Sequence, residues 1–93
     1  TVDFDTSNVT AAGKPLILTP TEYRLMKLLI DNNGKVLTRQ MILDRLWDAN
    51  GNYVDEHALT VNIGRLRGKL ETDENKYIKT VYGMGYMWIG GLL

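Results

Sequence analysis

The chain has no cysteine, so it can form neither a disulfide nor a thiolate metal site, and a reducing compartment, the cytoplasm, is the expected setting. It has no excess charge of either sign, since eleven basic and eleven acidic residues cancel. Overall basicity therefore cannot draw it to nucleic acid, and any such affinity must rest on local charge. No apolar run approaches the ~20 residues needed to span a bilayer, and the N-terminal end lacks a basic segment followed by an apolar one. No membrane association is expected. One serine and one histidine offer no nucleophile–base pair and no metal cluster, so we expect no catalysis, no cofactor and no metal.

What is present is a chain able to fold. Its 93 residues are 44% hydrophobic with interspersed charges, enough for one compact core and too few for two. The sequence begins at Thr1 rather than methionine. We therefore expect residues 1–93 to be a single domain cut from a longer protein.

Short apolar pieces at Val2 to Phe4, Asn8 to Thr10 and Leu16 to Leu18 are separated by the turn-formers Ser7, Asn8, Gly13 and Pro15, which predicts a small antiparallel sheet. Thr19-Pro20-Thr21-Glu22 then opens a helix, with a hydroxyl cap, proline at the first helical position and glutamate three residues after the cap. That helix should carry Leu25, Met26, Leu28, Leu29 and Ile30 to Asn32 or Asn33, where Gly34 supplies a left-handed stop. Thr38 caps a second helix that turns Met41, Ile42, Leu46 and Trp47 toward a core. After the turn-rich Asp48-Ala49-Asn50-Gly51-Asn52, the acids Asp55 and Glu56 suit the positive end of a third helix. Tyr77 to Tyr82 and Tyr86 to Ile89 read as two strands joined around Gly83-Met84-Gly85.

The third helix has two unlike faces. At about 100° per residue, Leu59, Ile63, Leu66 and Leu70 stack on one stripe that packs on a core. Opposite fall His57, Val61, Gly64 and Gly68, with Arg65 close by; Thr60 and Arg67 lie to one flank, Asn62 and Lys69 to the other. Each mid-helix glycine costs about 1 kcal/mol relative to alanine, and an exposed valine gains little in water, so this face calls for an external reason. A DNA major groove supplies one: small residues admit a close approach, Val61 can meet a thymine methyl, Arg65 can fork onto guanine, and Arg67 and Lys69 can reach the two phosphate walls. No acidic residue lies between Glu56 and Glu71, which leaves a local positive stripe. Two other readings stay open: a solvated charged face, or glycines that admit a partner protein, making this a winged-helix interaction module without DNA binding.

The order of elements, together with Leu18-Thr19-Pro20-Thr21-Glu22-Tyr23, Val36-Leu37-Thr38-Arg39, Leu46-Trp47, the run from Val61 to Leu70 and the run from Ile78 to Tyr86, resembles the effector domain of OmpR/PhoB-type response regulators of two-component systems. The resemblance covers nearly the whole chain. It implies an α+β winged helix-turn-helix with a four-stranded N-terminal antiparallel sheet, three helices, a recognition helix at Asp55 to Leu70 and a C-terminal β-hairpin wing around Gly83 to Gly85. It also implies sequence-specific binding of double-stranded DNA, on direct repeats, under the control of a receiver domain elsewhere in the full-length protein. Positions matching Thr60 and Arg65 would meet base edges; those matching Arg39, His57, Asn62, Arg67 and Thr80 would hold phosphates. The loop from Asp48 to Tyr53 corresponds to one that touches RNA polymerase in this family. Many relatives have arginine where this chain has His57, Gly64 and Tyr82, so it brings fewer fixed charges to DNA and should bind nonspecifically more weakly.

Tyr82 has two readings, a side chain along the minor-groove wall or a strand aromatic covering the core. Trp47, Trp88 and the other tyrosines are expected in the core. Gly83-Met84-Gly85 joins strand to strand and lacks a third glycine, so it is a hairpin turn and not a dinucleotide site. Glu71-Thr72-Asp73-Glu74 is expected to be a solvated loop closing the third helix.

Overall fold

The computed structural model describes residues 2–3, 8–11, 14–46 and 55–90. Strands β1 (Val2–Asp3), β2 (Asn8–Ala11) and β3 (Lys14–Leu16) form an antiparallel sheet in that order, with Val2 opposite Val9 and Val9 opposite Leu16. The resemblance implied four strands at this end; among the described residues the sheet has three. Phe4 lies outside them.

Helix α1 (Pro20–Asp31) starts where its capping box dictates: Glu22 N donates to Thr19 Oγ1 at 3.1 Å, and Thr19 N donates to Glu22 Oε1 at 2.8 Å. Two otherwise orphaned amides are thereby satisfied at once. The helix ends at Asp31, with Asn32 as its C-cap, just short of the expected Asn32 or Asn33. Gly34 then takes the left-handed turn at φ 81° and donates its N–H to Trp88 O at 3.0 Å, which ties the turn to the C-terminal hairpin.

Three residues on begins a strand that sequence reasoning missed, β4 (Leu37–Thr38), paired with Tyr86 and Gly85. Two residues carry no period-2 signal, so only their partner makes them a strand. Thr38 serves as strand end and as cap, its Oγ1 accepting from Met41 N at 3.1 Å, and α2 (Arg39–Leu46) follows. Its buried residues are Ile42, Leu43 and Leu46; Met41, expected in the core, is 48% exposed. Ile42 and Leu46 face inward as expected, and Leu43, two residues on from Met41, takes the third inward place. Arg24 closes the helix from α1, donating to Leu46 O at 2.7 Å. Trp47 and the loop from Asp48 to Tyr53 lie outside the described residues.

Helix α3 (Glu56–Leu70) is capped by Asp55, whose Oδ1 accepts from Ala58 N at 2.7 Å. Strands β5 (Ile78–Val81) and β6 (Gly85–Trp88) complete an antiparallel sheet of order β4-β6-β5. Gly85 is required there, because a Cβ would collide with the Leu37 backbone across the β4–β6 pair.

One core joins these elements. Leu25, Met26 and Leu29 of α1 meet Ile42 and Leu46 of α2, the stripe Leu59, Ile63, Leu66 and Leu70 of α3, and Trp88 of β6. Tyr77 stacks on Trp88, ring centroids 5.4 Å apart. The expected inner stripe of α3 is thus the observed one, and it leaves the opposite face of that helix outside the core.

Candidate nucleic-acid interface

On the outer face of α3, His57, Thr60, Gly64, Arg65 and Gly68 are exposed, and Val61, Asn62 and Arg67 are half-buried. Asn62 folds back on its own helix, donating from Nδ2 to Ala58 O at 2.8 Å. Arg65 has no hydrogen-bond or ion-pair partner among the described residues. Among the described residues, nothing lies within 4 Å of where a Cβ would stand on Gly64 or Gly68. No packing among the described residues therefore requires either glycine, although each weakens the helix.

The flanking cations are fixed by the fold. Arg39, at the start of α2, donates from Nη1 to Tyr86 Oη at 2.9 Å and from Nη2 to Glu56 O at 2.8 Å and Thr60 Oγ1 at 2.9 Å. Arg67 donates from Nη2 to Ile78 O at 3.1 Å and to Thr80 Oγ1 at 2.6 Å, and its Nε lies 4.0 Å from Glu71 Oε1. Both guanidinium groups approach the buried Tyr86 ring, with Cζ at 5.8 Å and 5.9 Å from its centroid, within the range of a cation–π attraction. Tyr86 thus links both arginines to the β4–β6–β5 sheet. Its place in the core is the expected one for an aromatic, but no local signal in the sequence points its phenol to this second task.

Lys69, of which a phosphate contact is expected, makes two bonds inside the domain. Its Nζ lies 2.6 Å from Glu22 Oε1 and 3.0 Å from Ile17 O, holding the end of α3 to the start of α1. Glu22 is wholly buried. Burial alone would raise its pKa, but the Lys69 hydrogen bond, the two Thr19 bonds and the Lys69 charge outweigh this and hold it below the usual carboxylate value.

The expectation of a solvated loop at Glu71 is corrected. Its Oε2 accepts from Tyr77 N and Ile78 N, both at 2.8 Å, so the carboxylate starts strand β5 and balances Arg67. Thr72, Asp73 and Glu74 are exposed, as expected.

At the hairpin turn Gly83 has φ 78° and Met84 N donates to Val81 O at 2.9 Å. Tyr82 is in this turn and is 92% exposed, with Met84 exposed beside it. The core-covering reading of Tyr82 is therefore overturned: strand β5 ends at Val81, one residue before it. An open groove of about 590 Å³ runs between this hairpin and the start of α2, lined by Thr38, Arg39, Gln40 and residues 80–86. Arg39 borders both this groove and α3, so the outer face of α3, the start of α2 and the hairpin adjoin one another.

This is the arrangement of a winged helix, and comparison with known proteins agrees. A family model described as the C-terminal part of transcriptional regulatory proteins matches residues 13–88. The chain belongs to this family. It is 40% identical over 87 residues to the transcriptional regulatory protein CusR of Escherichia coli K12, covering 92% of this chain and 38% of CusR. It is 40% identical over 85 residues to the response regulator PmrA of Pseudomonas aeruginosa, covering 91% of this chain and 37% of PmrA. The chain thus spans well under half the length of these relatives. Among solved structures it superposes on DrrB, an OmpR/PhoB homologue of Thermotoga maritima, with a TM-score of 0.83, 34% identity, and coverage of 96% of this chain and 41% of DrrB. The DNA-binding domain of Klebsiella pneumoniae RstA, solved in complex with the RstA box, gives a TM-score of 0.78 at 26% identity, covering 95% of this chain and 88% of that one. The architecture is accordingly the α+β winged helix-turn-helix of the OmpR/PhoB family.

Proposed function

We propose that this OmpR/PhoB-type domain is the sequence-specific, double-stranded-DNA-binding output module of a two-component response regulator, with α3 in the major groove and the hairpin toward the adjacent minor groove. The observation that carries this is the outer face of α3. Arg65, without a partner among the described residues, stands beside two glycines that open the helix backbone to close approach, and a groove wall is the surface that uses both. Arg39 and Arg67, pre-positioned around Tyr86, flank it for phosphates, because each retains part of its donor fork beyond the bonds described.

In this reading Thr60, Val61, Gly64 and Arg65 face bases, and Arg39, His57, Asn62, Arg67 and Thr80 face phosphates. Tyr82 reaches from the wing tip. Lys69 acts indirectly, by fixing the end of α3. The domain works in the cytoplasm, pairs on direct repeats, and is governed by a receiver domain in the full-length protein; the loop at 48–53 offers a contact to RNA polymerase. No side chain is assigned a catalytic role.

The test is fluorescence anisotropy of the chain against duplexes enriched from a randomised library, with a scrambled duplex as control. We expect an enriched duplex to bind at least ten times more tightly than the scrambled one, with affinity falling steeply as salt rises. Equal, salt-insensitive affinities for both would overturn the reading in favour of the protein-interaction module, for which the exposed Tyr82 and Met84 would be the contact.

A further inference from the structure

Thr60 stands exposed on α3, one turn before Gly64. Its Oγ1 accepts from Arg39 Nη2 at 2.9 Å and donates to Glu56 O at 3.2 Å. Chemistry alone fixes this polarity: a guanidinium has no lone pair to offer and a carbonyl has no proton. The single hydroxyl proton therefore goes to Glu56 O, one lone pair goes to Arg39, and the side chain presents outward only a remaining lone pair and its methyl group. Arg39 is itself held in place, because it also bonds Tyr86 Oη and lies against the Tyr86 ring.

Resting on the proposed DNA reading, we infer that Thr60 discriminates bases as a hydrogen-bond acceptor only, and that Arg39 is the positioning residue that makes it so. A free threonine hydroxyl can turn to suit a donor or an acceptor and so reads little. This one cannot turn without breaking a bond to Arg39 or to Glu56. It accepts from the exocyclic amino group of adenine or cytosine, and it meets the O6 and N7 acceptors of guanine with a lone pair. The base that meets this lone pair is thus adenine or cytosine, and guanine O6 and thymine O4, both acceptors, are rejected by it.

The experiment selects duplexes from a randomised library with the chain and with its Thr60→Val, Thr60→Ser and Arg39→Ala variants, then measures affinities for single-base changes in the enriched site. We expect one position at which the wild type favours adenine or cytosine over guanine by about threefold to tenfold, the effect of one hydrogen bond. Thr60→Ser should keep this preference. Thr60→Val and Arg39→Ala should flatten it, the second without removing any group that touches the base. Replacing adenine at that position with purine, which lacks the amino group, should weaken the wild type and leave Thr60→Val unaffected. Guanine favoured at the position altered by Thr60→Val, or no position altered by it, overturns the acceptor rule while leaving DNA binding intact. Failure to enrich any duplex overturns both.

Discussion

The Lys69 ammonium lies 2.6 Å from the carboxylate of Glu22, a residue with no exposed surface, across 47 positions of sequence. Removing the lysine leaves a buried carboxylate without its counter-charge, which is costly even though the lysine itself is partly exposed. Lys69→Met should therefore destabilise the fold by about 1–3 kcal/mol. Urea unfolding monitored by tryptophan fluorescence would measure it. A loss of DNA affinity in this variant with unchanged stability would instead make Lys69 a phosphate contact.

The same pair sets a pH dependence. The Glu22 pKa is lowered in the folded state, so folding favours the ionised form. The resulting stability is present above the ordinary carboxylate value of 4.5 and is lost as pH falls below it through the depressed folded value. Glu22→Gln should be less stable than wild type at pH 7 and should lose less on acidification to pH 3. Parallel stability curves for the two proteins would contradict this.

Much of the fold is legible in the sequence, because its signals are local. The Thr19–Glu22 capping box, the Gly34 stop and the period of Leu59, Ile63, Leu66 and Leu70 each act within a few residues, and each appears in the structure as read. What escaped depends on distant partners. β4 exists because Tyr86 and Gly85 pair with it. Glu71 turns inward to two amides beyond its own helix. Lys69, on a helix flank where the wheel points it to a phosphate wall, is also held by a carboxylate on α1. The candidate site divides the same way: exposure of Thr60, Arg65 and Gly64 follows from helical phase, whereas the convergence of Arg39 and Arg67 on Tyr86 needs the tertiary fold.

Gly64 and Gly68 have open space where a Cβ would stand, so alanine should fit at either without a clash. Each substitution should raise stability by about 0.5–1 kcal/mol through the better helix former. In the DNA reading the added methyl holds the helix away from the groove, and affinity for an enriched duplex should fall. Thermal unfolding and anisotropy on the same samples test both halves. Variants that gain stability and bind DNA unchanged would remove the glycines from the interface.

Tyr82 and Tyr86 should separate surface from framework. Tyr82 is 92% exposed, so Tyr82→Ala should leave the melting temperature unchanged and affect only binding. Tyr86→Phe keeps the ring beside both arginines but deletes the Oη that accepts from Arg39, and should cost about 1 kcal/mol of stability. A destabilised Tyr82→Ala would mean that the wing tip packs against the domain after all.

Arg65 and Arg67 lie two residues apart on α3, but they differ in exposure and in bonding. Arg65 is exposed and without a partner among the described residues, free to reach a base edge from the centre of the outer face. Arg67 is half-buried, bonded to Ile78 O and Thr80 Oγ1, and stands at the flank nearest the hairpin. Arg65→Ala should leave stability unchanged, cost about 1–3 kcal/mol on an enriched duplex and barely affect a scrambled one, because it removes a bidentate base contact. Arg67→Ala should lower stability by about 1 kcal/mol through its lost internal bonds. Where both variants are fully folded, it should weaken both duplexes alike and reduce the salt slope by about one unit, since one phosphate fewer is neutralised. Titrations of each variant on both duplexes over several salt concentrations, alongside urea unfolding, provide the comparison. Equal losses on the two duplexes for Arg65→Ala would sink its base-reading role and leave α3 held to DNA by charge alone.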